Sequence, residues 1–150
     1  MSETYLVVIP TDPMAGLPDN AQAVLKRLAC MAGTDEARIK DYGKLQFIDC
    51  GEAFEGINCP KCAVTFEIAT WHAWMDQDWH GEEGFHLHSH AMPCCRTKLT
   101  LNDLVYKGPQ GFSRWFISAK TNNRGALTNS ELEKLGAKAG IPLRAIIQQY

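Results

Sequence analysis

The sequence predicts an α+β fold in which a strand–helix–strand unit at each end of the chain flanks a central cysteine- and histidine-rich segment. Three observations carry that prediction. β-branched and aromatic runs bounded by breakers open and close the chain. An amphipathic stretch with helix punctuation follows the first run, and another precedes the last. The middle carries two closely spaced cysteine pairs, a pattern of metal ligands. The chain has 150 residues, 45% hydrophobic and 21% charged. That is ordinary globular composition for a single domain over residues 1–150, long enough to bury a core without disulfide staples.

The elements follow in order. Thr4–Ile9 (TYLVVI) reads as a strand stopped by Pro10, and Pro13, Gly16 and Pro18 mark a loop. Asp19 or Asn20 caps a helix carrying Ala23, Val24, Leu25, Leu28 and Met31 that ends at Gly33. Thr34–Asp41 is expected to hold a short second helix, and Leu45–Asp49 alternates as a strand. Near the other end, Gly111–Ala119 (GFSRWFISA) reads as a strand and 121–128 as a polar loop. Thr128 and Glu131 form a capping-box pattern, in which hydroxyl and carboxylate each satisfy an orphan backbone N–H. The helix through Leu132, Leu135 and Ala139 ends at Gly140, Pro142 blocks its continuation, and Leu143–Tyr150 is the last strand. The stretches LPDNAQAVLKRLACMAG and LTNSELEKLGAKAG run alike, from Leu through a capping residue to a helix closing on Ala-Gly. Right-handed crossovers then let both units share one sheet. The expected architecture is a split β-α-β (ferredoxin-like) sandwich with a zinc-ribbon-like insertion at about residues 50–105.

Charge is unevenly spread. The net charge is -2, but residues 63–95 carry five acids and no Lys or Arg, whereas 96–124 carry six basic residues against Asp103. That balance excludes a generally basic nucleic-acid binder but leaves room for a local patch or a charge-steered partner. No apolar run reaches the ~18 residues of a membrane span. Met1–Thr4 shows no basic region or cleavage site before the first strand, so a cytoplasmic location is expected.

The cysteines are Cys30, Cys50, Cys59, Cys62, Cys94 and Cys95. In Cys59-Pro60-Lys61-Cys62 the two-residue spacing lets both thiolates face one metal, while turn N–H groups stabilise sulfur charge. Cys94-Cys95 follows after 31 intervening residues. Two pairs supply the four thiolates of a closed structural Zn2+ site, one ion per chain. The second pair is irregular, because the position three before Cys95 is Met92. The competing ligand set replaces Cys94 with His90 or His88. A redox C-x-x-C normally opens a helix after a strand, whereas Cys62 leads into the strand-like Ala63–Ala69. Cys30, on the apolar face of the first helix, and Cys50, at a strand end, read as buried small hydrophobes.

All five histidines (His72, His80, His86, His88 and His90) lie between Trp71 and His90, as do three of the four tryptophans. Phe85–His90 alternates, so as a strand it would set His86, His88 and His90 on one face. That row reads as a solvent-facing strand face, as a second metal site or as a pH-dependent contact. Trp71, Trp74 and Trp79 with the nearby acids either pack the ribbon or form an acidic, aromatic docking surface; Trp74, Trp79 and Glu83 are the candidate partner-binding residues.

Several stretches resemble a group of small bacterial zinc-ribbon-containing proteins: CPKC, PCC, LTLNDLVY, GFSRWFIS and the closing PLRAIIQQY, together covering much of Cys59–Tyr150, and more weakly 47–55. Their pattern is C-P-x-C, then P-C-C-G, S-L-N-D-L-x-Y, a G-F-A-R-F strand and a C-terminal P-L-R strand. The resemblance implies Cys59, Cys62, Cys94 and Cys95 as zinc ligands. It also implies the role of an immunity protein in a polymorphic toxin system. Arg96 departs from the pattern, which has Gly there, and the histidines are not part of it.

Three functions compete. A binding protein docking on a cognate toxin domain needs no catalytic constellation. The sequence holds no Gly-rich phosphate loop, G-x-S-x-G, H-E-x-x-H or deaminase motif. A nucleic-acid-binding zinc ribbon would use the basic stretch with Phe112, Trp115 and Phe116 as stacking platforms and Arg114 as a contact. A metal-dependent hydrolase would use His86, His88 and His90 around an open position.

Overall fold

The computed structural model describes residues 3–122 and 124–150. It is a mixed α/β structure built on a four-stranded antiparallel sheet. Strand β1 (Thr4–Pro10) is followed by helix α1 (Ala21–Ala32) and strand β2 (Ala37–Ile48). The insertion then holds β3 (Gly56–Asn58), α2 (Ile68–Asp78), β4 (His90–Ala91), β5 (Lys98–Leu99) and β6 (Val105–Lys107). The chain returns through β7 (Gly111–Thr121), α3 (Asn129–Ala139) and β8 (Leu143–Gln149). The sheet order is β2-β7-β1-β8, with every neighbouring pair antiparallel. No helix among the described residues is long and apolar enough to cross a membrane.

Both long helices sit on one face. Leu6, Val8, Trp115, Ile117 and Ala119 of the sheet pack against Val24 and Leu28 of α1 and Leu135 and Ala139 of α3. Helix α1 buries Ala21, Val24 and Leu28, one stripe at helical spacing. Both helices close on a left-handed glycine, Gly33 and Gly140, as their shared sequence pattern predicts. The Thr128–Glu131 capping box forms as expected, and the Glu131 carboxylate also takes a bidentate bond from Arg124. At the start of α1 the Asn20 side chain does not cap its own helix but donates to the Lys138 carbonyl of α3.

The insertion leaves β2 and re-enters at β7, so it replaces a hairpin turn between two adjacent strands. Its own core joins Ile57, Cys59, Phe66, Trp71, Phe85, Met92, Leu101 and Leu104 to Leu45 of β2 and Phe112 of β7. Phe47 is the aromatic hinge, with ring centroids 5.1–5.9 Å from Trp71, Tyr106 and Phe112. The LNDL, GF and PLR stretches meet at this seam. Asn102 Oδ1 accepts from the Phe112 N–H and from Arg144, while Arg144 also donates to the Gln110 carbonyl. Gly111 sits under that guanidinium: a Cβ there would lie 2.7 Å from Arg144 Nη1, so any side chain would make the guanidinium shift. The LNDL, GF and PLR segments therefore form one physical contact.

Four expectations are corrected. Thr34–Asp41 is not a helix; Ala37–Ile48 forms one long edge strand, with Arg38 and Lys40 exposed and Ala37 and Ile39 half-buried. Ala63–Ala69 is not a strand, since helix α2 begins at Ile68. Phe85–His90 is not a continuous strand, because Leu87 takes a left-handed φ of 55° and only His90 enters β4. Cys30 is exposed, on the side of α1 opposite its buried stripe; Cys50 is buried as expected, with its thiol 3.3 Å from Gln110 Oε1.

Candidate metal centre

Two turns of matching geometry build the cysteine cluster. In the first, the Ala63 N–H donates to the Cys59 carbonyl at 2.9 Å and the Cys59 N–H to Val64 at 2.9 Å. In the second, the Arg96 N–H donates to the Met92 carbonyl at 2.8 Å and the Met92 N–H to Thr97 at 3.0 Å. Residue by residue, Cys59-Pro60-Lys61-Cys62-Ala63 superposes in bonding on Met92-Pro93-Cys94-Cys95-Arg96. Ala63 and Arg96 occupy the same left-handed corner, with φ of 62° and 59°. Met92 thus stands where a regular ribbon has its third cysteine, and it is 2% exposed in the insertion core. Cys94 compensates from the position that matches Lys61 in the first turn.

The result brings together all four cysteines that sequence reasoning selected. The sulfurs of Cys59, Cys62, Cys94 and Cys95 lie within 4.8 Å of one another, and this set could hold a metal ion. Cys59 and Cys95 approach to 3.8 Å. The Lys61 N–H points at the Cys59 sulfur at 3.4 Å, the turn-amide arrangement that stabilises a thiolate. Burial raises the Cys59 thiol, but the amides of Cys62 and Lys61 and the neighbouring thiols outweigh it and bring the group down to about 7. Cys94 moves the other way, up to about 12, chiefly because its hydrogen bond with Cys62 favours the protonated form. Cys59 is buried and Cys95 half-buried, whereas Cys62 and Cys94 face solvent, so the centre sits at the edge of the insertion core.

No histidine joins this cluster. His90 packs on Trp74 at 6.0 Å between ring centroids and reaches 4.0 Å from Asp78. His88 lies with His80 and His86 in a separate exposed group. His80, absent from the alternating row, is brought in because the loop at 79–85 folds back: the His80 N–H donates to the Gly84 carbonyl. No local sequence signal marks that return.

The other candidates are placed as follows. Trp74 is half-buried, its ring edge-on to Phe66 at 5.3 Å. Trp79 is 41% exposed with Lys44 over its ring, and Glu83 is exposed. Phe112 and Trp115 are fully buried and Phe116 nearly so. Comparison of the chain with protein-family models, with curated proteins and with solved structures finds no match.

Proposed function

We propose that this chain is an immunity-type binding protein. It neutralises a cognate bacterial toxin domain, delivered by a secretion system, by direct complex formation in the cytoplasm. In this reading the sheet and its two helices are a ferredoxin-like sandwich, and the insertion is a zinc ribbon stapled by one structural Zn2+. A donor set made only of thiolates suits zinc, which has no preferred geometry of its own and is closed by four such ligands.

One observation carries the reading. The insertion exposes Trp79, with Lys44 over its ring, in a segment that has no Lys or Arg of its own and whose Glu67, Asp76, Glu82 and Glu83 are all exposed. An exposed tryptophan in an acid-rich segment has the composition of an anchor for a basic partner. A toxin that grips phosphate would be such a partner. Trp74 is half-buried instead, against Phe66 and His90. Burial of Phe112 and Trp115 removes the stacking platforms that a nucleic-acid reading needs.

The test is isothermal titration with candidate bacterial toxin domains, starting with any encoded beside this gene. A stable complex burying ~1,200–2,000 Å² is expected. Trp79→Ala is expected to cost about 2 kcal/mol, roughly thirty-fold in Kd. Absence of binding, or a complex indifferent to both Trp79→Ala and Glu83→Lys, would overturn the assignment.

A further inference from the structure

We propose that His80, His86 and His88 form a second divalent metal site, separate from the thiolate centre, that takes a zinc-class transition-metal ion through three neutral imidazoles. Their ring nitrogens lie within 4.8 Å of one another. His80 Nε2 and His88 Nε2 are 2.9 Å apart, one donating and the other accepting, and the His80 and His86 rings stack at 3.8 Å. Bonds of ~2.0–2.1 Å to a tetrahedral ion hold nitrogen ligands about 3.4 Å apart. The His80–His88 pair therefore opens by about half an ångström to admit one, and the stacked His80 and His86 rings, whose planes differ by only 19°, turn so that both lone pairs meet at the ion.

The convergence is built by buried structure beneath it. Asp78 ends α2 with 0% exposure, and its carboxylate accepts the backbone N–H groups of His86, Leu87 and His88 at 3.1, 2.7 and 2.6 Å. Wrapping three consecutive amides around one carboxylate forces Leu87 into its left-handed conformation. Leu87 then packs against the insertion core while His86 and His88 stay exposed. A bulky residue held at positive φ by a buried charge is strain kept at a defined place, the usual mark of a positioned site. The loop's other limb is fixed as well. Phe85 donates to the Leu45 carbonyl, and a Cβ on Gly84 would sit 2.4 Å from that oxygen.

A neighbouring carboxylate suits a cation. Glu83 Oε2 lies 3.5 Å from His86 Nε2, which sets a carboxylate beside the ion. An open cleft of about 560 Å³, lined in part by Lys44, Glu83, His86 and Arg114, borders the site and leaves its fourth position reachable from solvent. Imidazole donors with one carboxylate nearby favour zinc, nickel or copper over calcium or magnesium. Asp78 is a positioning residue here, acting through the loop it ties down.

Tag-free protein with its cysteine centre loaded is dialysed against Zn2+, and bound metal per chain is measured. A second equivalent is expected in the wild type. His80→Ala, His86→Ala and His88→Ala should each weaken it at least tenfold, and the triple variant should abolish it. His72→Ala and His90→Ala should leave it within twofold. These imidazoles are exposed except for half-buried His90, so circular dichroism should confirm intact folds. With Co2+ as probe, the second equivalent should add nitrogen/oxygen-type bands without new thiolate charge transfer. A wild type that holds only one ion, a second ion unaffected in the triple variant, or a loss with His90→Ala equal to that with His86→Ala would each overturn the site. Failure of the thiolate centre is distinguishable, because it removes the first equivalent.

Discussion

Replacing Arg96 by glycine should stabilise this protein, and the size of the effect follows from one dihedral angle. Arg96 occupies the left-handed corner of the second knuckle at φ 59°. An L-residue there carries about 1–2 kcal/mol of steric cost that glycine does not. Glycine loses about 0.5–1 kcal/mol more backbone entropy on folding. The net gain is about 0.5–1 kcal/mol, which in a domain of this size raises Tm by about 1–4 °C. The side chain has no hydrogen bond or ion pair among the described residues that would offset this, and it is exposed. Arg96→Ala is the control, since it removes the guanidinium but keeps Cβ and hence the strain. Thermal and urea denaturation of metal-loaded protein should show Arg96→Gly above wild type and Arg96→Ala within about 0.5 kcal/mol of it. If alanine stabilises as much as glycine, or glycine lowers Tm, the corner is not strained and the matched-knuckle geometry is wrong.

Two further outcomes are expected. Chelation, or Cys59→Ser, should strip the first metal equivalent and lower Tm by many degrees, because folding of a thiolate-stapled segment is coupled to its ion; Cys30→Ser, at an exposed helix position, should leave both metal content and Tm unchanged. Hydrogen bonding from Arg124 and from the Thr128 amide holds the Glu131 carboxyl down at about 2. Its folded value lies below its unfolded one, so the stability it contributes is fully present above about pH 4.5 and disappears as pH falls toward 2. An Arg124/Glu131 double-mutant cycle should give about 1 kcal/mol of coupling at pH 7, falling as the carboxylate protonates, by urea denaturation across that range.

The two ends of the chain were legible because local chemistry and tertiary demand agree there. TYLVVI and GFSRWFISA are apolar enough to be central strands, and glycine caps close both helices. The four clustered cysteines were legible from spacing alone, although the reason Cys94 can serve emerges only when Met92 is seen buried in the place of a ligand. Elsewhere long-range contacts decided the outcome. The expected short helix at Thr34–Asp41 gives way to an edge strand from Ala37, which needs only one half-buried face; the Ala37/Ile39 against Arg38/Lys40 alternation was the available signal, and Leu45–Ile48 falls in a strand as read. Helix α2 is held by Trp71, whose ring packs on Phe47 and Phe54 and whose indole N–H donates to Tyr106. The histidine row was misread because alternation assumes extended backbone, and Asp78 bends that backbone from ten residues away in sequence.

The most extensive strand pairing in the molecule, β2 with β7, joins segments separated by residues 49–110. In a plain hairpin that pairing would be local and fast to form; here it is a distant encounter, and the entropy of closing the gap rises with its length. An excursion that first condenses around its own aromatic rings shortens the effective tether between the two strands. A metal ion held by the four clustered cysteines would then bear on the order of assembly as well as on final stability, and a chain lacking it during synthesis would expose the unpaired edge of β7 for longer.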